Sequence, residues 1–312
     1  MGCAGSSATK ENKNNFIIGI VNVPEPIKDV DGEDLGPPCA NIINSYENMR
    51  YDDKKGINED EIKQAEIRIN DKPIEFEYCP TFKAPGKYTI KITFNKPLTN
   101  AHSLFGQCDY ESLDLSNFNS ENVTTFESMF THCTNLKEVN MDNLNTKNVT
   151  NIHSMFMGCE NLDELDLTSF NVENVTDASG MFYGCENLRK LDCNFNFKKV
   201  KDLNTMFEGC KNLLYVDVFN WTTTNTLINI GYMFSGCEKL EHIDFSKFDC
   251  SKIVGMTGLF RSCTSLTRVE FPNNFNKNTI QDANDVFENC DALEEYNIVI
   301  DRDFYDFLKI KE

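Results

Sequence analysis

From residue 101 onward, apolar and polar positions recur with a period near 26 residues. Aligned on a recurring cysteine, the third following residue is leucine at Leu136, Leu162, Leu188, Leu213, Leu240, Leu266 and Leu293. The sixth and eighth are mostly apolar, as in Val139/Met141, Leu165/Leu167, Val216/Val218, Ile243/Phe245 and Val269/Phe271. With a polar residue between them, these two positions alternate as a half-buried strand requires. About eleven residues after the cysteine stands a bulky group (Phe118, Leu144, Phe170, Trp221, Phe248, Phe275). An Asn-rich turn follows, then a β-branched residue at Val123, Val149, Val175, Val200, Ile228, Val254 or Ile280. A short polar segment suited to a single helical turn leads to the next cysteine. Self-similarity at this period predicts a stacked array in which each unit buries its apolar face against its neighbours.

The cysteine belongs to a Phe-x-x-Cys pair that returns eight times. The pairs are Phe105/Cys108, Phe130/Cys133, Phe156/Cys159, Phe182/Cys185, Phe207/Cys210, Phe234/Cys237, Phe260/Cys263 and Phe287/Cys290, with cysteine spacings of 25, 26, 26, 25, 27, 26 and 27 residues. Zinc sites use cysteines two to four residues apart converging on one ion, whereas here each repeat supplies one. Parallel side chains in one column also point the wrong way for easy disulfide bridging. The expected role is therefore structural: each thiol is a small buried group whose weak S–H donor meets a backbone carbonyl, and the phenylalanines are core.

The recurring string, clearest over residues 158–185 (GCENLDELDLTSFNVENVTDASGMFYGC), resembles the BspA-type leucine-rich repeats of bacterial, mycoplasmal and protist surface proteins. The resemblance implies an α/β repeat: a leucine-rich-repeat solenoid with a parallel sheet of short strands, in about eight rungs of about 26 residues. On this reading residues 1–15 are a flexible, acylatable tether, 16–100 a β-rich N-terminal capping module, 101–300 the solenoid and 301–312 a C-terminal cap.

The polar residue between the two inward strand positions is acidic at Asp114, Asp166, Asp192, Asp217, Asp244 and Glu270, with Asn140 the exception. Like charges on neighbouring strands repel. Such a column is either a recognition strip for a basic partner or a repeat residue bonding the next bend. Its flanks vary, and Tyr215 and Phe219 with Trp221 predict an exposed aromatic patch; His242 lies on the same flank as Tyr215. Partner binding is expected near Asp166, Asp192, Asp217, Asp244, Glu270, Tyr215, Phe219 and His242, since aromatic anchors dominate interfaces. Sequons at Asn122, Asn148, Asn174 and Asn220 are expected to serve as turn residues rather than sugar sites.

In the first hundred residues, Phe16 to Val23 reads as a strand, the stretch from Pro24 to Pro38 as an acidic loop, 39–50 as a short helix and 52–61 as another charged loop. Residues 65–70 and 73–78 alternate around Asn70-Asp71 as a hairpin, and 86–94 is a further strand. Phe304, Phe307 and Leu308 fit one face of a closing helix. Met-Gly-x-x-x-Ser at the start matches the N-myristoylation pattern, with Gly2 the acceptor and Cys3 placed for a second, palmitoyl chain.

Composition narrows the function. A net charge of −19 opposes nucleic-acid binding and favours a basic partner. The four histidines (His102, His132, His153, His242) occupy different repeat positions, and no Gly-rich phosphate loop or nucleophile motif is present. No enzyme, cofactor or small-molecule substrate is expected. The leading expectation is a protein-interaction scaffold held by acyl chains on the cytoplasmic face of a membrane. Alternatives are a structural component of a cytoskeletal or ciliary assembly, and an extracellular adhesin.

Overall fold

The computed structural model describes residues 15–25, 37–44 and 59–309. Residues 1–14 of the tether, with Gly2 and Cys3, most of the 24–38 loop, 45–50 of the expected helix and 52–58 of the second loop lie outside the described residues, whereas Asn15, expected in the tether, is buried and donates to the Phe94 and Lys96 carbonyls. Residues 39–44, which are described, form no helix: Ala40 and Ile42 instead donate to Pro80 and Tyr78 carbonyls.

Strand β1 (Phe16–Val23) pairs antiparallel with β4 (Gly86–Thr93) on one side and with β5 (Tyr110–Asp114) on the other. Beyond β4 lie β2 (Glu66–Ile69) and β3 (Lys72–Ile74), joined through Asn70 and Asp71 at φ 46 and 63°. This left-handed pair gives the turn a twist matching that of the flanking strands. Helix α1 (Glu59–Ile62) precedes β2. The first repeat strand, β5, pairs parallel with β6 (Glu138–Asn140), completing a six-stranded sheet of order β3-β2-β4-β1-β5-β6. Two smaller sheets follow. β7 (Glu164–Asp166) pairs with β8 (Lys190–Asp192), and β9 (His242–Asp244), β10 (Arg268–Glu270) and β11 (Ile298–Val299) form a parallel trio. Helix α2 (Arg302–Lys309) closes the described chain with Phe304, Tyr305 and Leu308 buried.

The expected α/β leucine-rich-repeat solenoid on one parallel sheet is not what is found. Among the described residues α-helix is confined to α1 and α2, and the strands fall into three separate sheets, the largest of them mixed. The physical reason lies in the segment before each cysteine, which carries left-handed residues where a helical turn was expected. Ser128 and His132, at φ 54 and 54°, stand where the next repeats have Ser154 and Gly158, at 52 and 70°. A helix needs negative φ throughout. Alternate amides reach across to the next repeat instead, as when Phe130 N donates to Met155 O and Phe156 N to Met181 O, both at 2.8 Å.

Successive repeats are thus held in register by discrete contacts. Parallel bridges step from Thr125 through Asn151, Asp177, Asp202, Asn229 and Gly255 to Asp282. The cysteine thiols supply a second ladder. From Cys133 to Cys290 each Sγ donates to the phenylalanine carbonyl of the preceding repeat at 2.9 to 3.1 Å. Beside it the eight phenylalanine rings stack with centroids 5.1 to 5.9 Å apart and planes within 17°. At the second bend Leu227 and Ile253 are buried, while Ile228 is exposed and Val254 half-buried. The expected positions 228 and 254 are therefore off by one.

Candidate functional site

The acidic column divides by repeat. Asp114, Asn140, Asp166 and Asp244 each accept, through Oδ1, the backbone N–H two residues on, at 2.8 to 3.1 Å. This bond shapes the bend after the strand, as short carboxylate and amide side chains do in turns. The hydroxyl and then the amide of Thr168 hold the Asp166 carboxyl below its usual range. Asp192, Asp217 and Glu270 are engaged by side chains instead, with Lys190 Nζ at 2.6 Å, Asn220 Nδ2 at 2.6 Å and Arg268 Nε at 2.9 Å respectively. His242 Nε2 lies 3.6 Å from Glu270.

Asp217 lies where the repeat strands are interrupted. The strand expected at 216–218 is absent. Beyond β8, parallel pairing on this face is reduced to a bridge between Lys190 and Tyr215, and Val218–Asn220 forms a 3-10 turn. Val218 N turns back to Val216 O at 3.0 Å, whereas the equivalent Leu167 N and Phe245 N reach the next repeat. Around this break three large apolar side chains face solvent: Leu214 at 53%, Tyr215 at 57% and Phe219 at 38% exposure. Lys247 Nζ sits 3.5 Å from the Phe219 ring centroid, and loss of solvent together with Asp217 and Asp244 pushes the Tyr215 phenol up.

Trp221 does not join this patch. It is wholly buried, packed against Phe195, Phe197, Phe207 and Phe248. Neighbouring Cys193 stands where other repeats carry a larger strand residue such as Leu167 or Phe245.

Two grooves flank Tyr215. One of about 590 Å³ is lined by Asp166, Arg189, Lys190, Asp192, Leu214 and Asp217 among others, and one of about 290 Å³ by Asp217, Phe219, Asn220, His242 and Asp244 among others. Arg189 is paired with Asp163 and Lys190 with Asp192, so the charge left over among the lining residues is carboxylate, with Lys247 standing beside the second groove over Phe219. Tyr215, Phe219, His242, Asp166, Asp192, Asp217 and Asp244 are thus brought together, while Glu270 lies one repeat further on. Leu214, absent from the expected set, was detectable in the sequence. It is apolar where the aligned repeats have Lys137, Asp163, Arg189, Glu241 and Thr267.

One histidine forms a chain with hydroxyls: His153 Nδ1 meets Ser179 Oγ at 2.8 Å, its Nε2 meets Ser154 Oγ at 3.1 Å, and Ser179 Oγ donates to Asp177 at 2.6 Å. Both serines are buried and neither lines the grooves, so the chain satisfies buried polar groups rather than presenting a nucleophile. Of the sequons, Asn148 and Asn174 donate Nδ2 to carbonyls of the preceding repeat, both at 2.9 Å.

A family model described as "Mycoplasma protein of unknown function, DUF285" matches residues 99–215 and 190–298. Among solved structures, a leucine rich cell surface protein from Faecalibacterium prausnitzii A2-165 is similar at 16% identity and a TM-score of 0.20, over 69% of this chain and 92% of that one. No curated protein matches.

Proposed function

The chain belongs to the DUF285 family, and we propose that it is a non-enzymatic binding protein of the cell surface that takes a basic segment of a protein partner along its acidic face. The observation that carries this reading is the break at 215–220. There Leu214, Tyr215 and Phe219 stand in solvent on a repeat whose neighbours keep polar residues at those positions, between two grooves lined by carboxylates. Scattered surface apolar residues are ordinary. Three within six residues of one repeat form the kind of anchor that interfaces use. The acidic column then gives sign selectivity and long-range steering. The repeats' resemblance to those of BspA-type surface proteins supports the surface location over a cytoplasmic one.

Binding tests the first half. With a partner or selected basic peptide, Tyr215→Ala combined with Phe219→Ala is expected to weaken affinity at least tenfold, about 1.4 kcal/mol or more. Unchanged affinity refutes the placement. A membrane-impermeant amine label applied to intact cells tests the second half: the protein should be modified before lysis, and labelling only after lysis removes the surface reading.

A second reading, which replaces the surface location with the cytoplasmic face of a membrane, is an acyl tether through Gly2 and Cys3 of the Met-Gly-Cys segment. Intact mass decides it, since a myristoyl or palmitoyl increment abolished by Gly2→Ala is required.

A further inference from the structure

We propose that Cys39 and Cys79 form a disulfide within the N-terminal module, locking the segment that carries Cys39 where it abuts the first repeat. The proposal is independent of the binding reading above. Residues 38–42 run antiparallel to 78–82. Phe82 N donates to Pro38 O at 2.8 Å, Ile42 N to Tyr78 O at 3.0 Å and Ala40 N to Pro80 O at 3.4 Å, with Cys39 bridged opposite Thr81. Directly opposed residues share a face, and so do residues two apart on one strand. Cys39 and Cys79 are therefore diagonal neighbours on one face, about 7–8 Å apart in such a pairing, so the bridge forms with a closing movement of the two strands. Both are free thiols, Cys39 exposed and Cys79 half-buried, in contrast to the buried repeat column. Burial, then Cys39 itself, then Asp109 and Glu77 push the Cys79 thiol up to about 12, so Cys79 stays protonated and Cys39 reacts first.

The segment carrying Cys39 is the joint between the two parts of the molecule. On its other side Asp109 N donates to Asn41 O at 2.9 Å, Asn41 N to the Asp109 carboxylate at 2.7 Å, the Tyr110 hydroxyl to Ile42 O at 2.7 Å and Asn44 N to Leu104 O at 3.0 Å. A covalent bond to the 78–82 strand fixes this joint from the side opposite the first repeat.

Formation proceeds by exchange with a low-molecular-weight disulfide such as oxidised glutathione. The more exposed Cys39, as thiolate, attacks one glutathione sulfur and releases the other half as reduced glutathione. Cys79 then displaces the second half from the mixed disulfide. The protein loses two protons and two electrons, and one oxidised glutathione becomes two reduced molecules.

The test equilibrates the full chain with oxidised glutathione and maps non-reduced peptides by mass. The expected result is a Cys39–Cys79 linked pair, two fewer cysteines available to iodoacetamide, and a higher melting temperature than the reduced chain. Cys39→Ser and Cys79→Ser, each alone, should abolish all three changes. Equal alkylation of both cysteines after oxidation overturns the proposal, as does linkage of either one to Cys3. A bond that forms without raising the melting temperature overturns the locking role. The oxidised and reduced wild-type comparison stands even if a serine variant fails to fold.

Discussion

Raising the pH should unfold this protein abruptly, because its repeat ladder depends on protonated thiols. Cys108, Cys133, Cys159, Cys185, Cys193, Cys210, Cys237, Cys250 and Cys263 are buried, and burial pushes every one above the ordinary thiol value of 9.0. Cys133, Cys185 and Cys193 reach about 12. A folded chain that keeps its protons while the unfolded chain releases them loses stability as pH rises above the unfolded value. The loss continues until the folded thiols themselves titrate. At pH 10, one unit above the unfolded value, the penalty is roughly 1 kcal/mol per thiol, or on the order of 10 kcal/mol for the nine, comparable with an ordinary domain's whole stability of about 5–15 kcal/mol. Tyr110, buried and raised for the same first reason, adds in the same direction at still higher pH. Far-ultraviolet circular dichroism and fluorescence of the single tryptophan, followed from pH 8 to 11 under reducing conditions, should show one steep transition below about pH 10. Converting Cys159 and Cys185 to alanine should make the fall of unfolding free energy with pH shallower above pH 9, by roughly 2 kcal/mol per unit. A protein still folded at pH 11, or an unchanged slope in the variant, would refute the reasoning.

The phenylalanine column carries a different share of the stability. Phe182→Ala removes a ring stacked between Phe156 and Phe207 at 5.7 and 5.3 Å and should cost about 3–5 kcal/mol in denaturant unfolding. Trp221→Ala should cost a similar amount, whereas Tyr215→Ala should stay within about 0.5 kcal/mol, since only the first side chain is buried. Asn148→Ala removes a donor to Glu121 O at 2.9 Å and should cost about 1 kcal/mol in the same assay. Glu111, held down to about 2 by Lys87 and then Lys137, has a folded pKa below its unfolded one. Its contribution to stability is present above the ordinary carboxylate range and is lost as the pH falls toward 2. Proton NMR should show its titration moving up toward 4.5 when both lysines are replaced by methionine.

Much of the repeat was legible because its constraints are local and recur. The leucine three residues past each cysteine is buried from Leu136 to Leu266 because every unit must fill the same internal volume. What the period does not encode is how the backbone spends its hydrogen bonds. The polar stretch before each cysteine contains good helix caps, yet left-handed residues such as Thr205 and Tyr232 send alternate amides to the neighbouring repeat. That choice depends on a partner a full period away, so a local propensity argument favours helix there. Trp221 shows a related failure. Its size and place beside Phe219 suggest an interface, but it fills the bulky repeat position that is also buried at Phe170 and Phe248. The slip at Ile228 and Val254 has a simpler origin, since β-branched shape was followed where burial fell on Leu227 and Ile253. Tyr215 and Phe219 were legible as exposed because their neighbours in register are polar; the loss of the strand around them was not.

The account stands on the claim that the interrupted turn at Tyr215 is the place where a basic partner binds. Its most direct measurement is selection of binders from a displayed library of random extended peptides against the wild-type chain, followed by affinity measurement against the chain with Tyr215→Ala and Phe219→Ala. The account predicts binders enriched in arginine and lysine whose affinity falls at least tenfold on the variant and weakens with added salt. Binders without basic residues, or basic binders equally tight on both proteins, would contradict it.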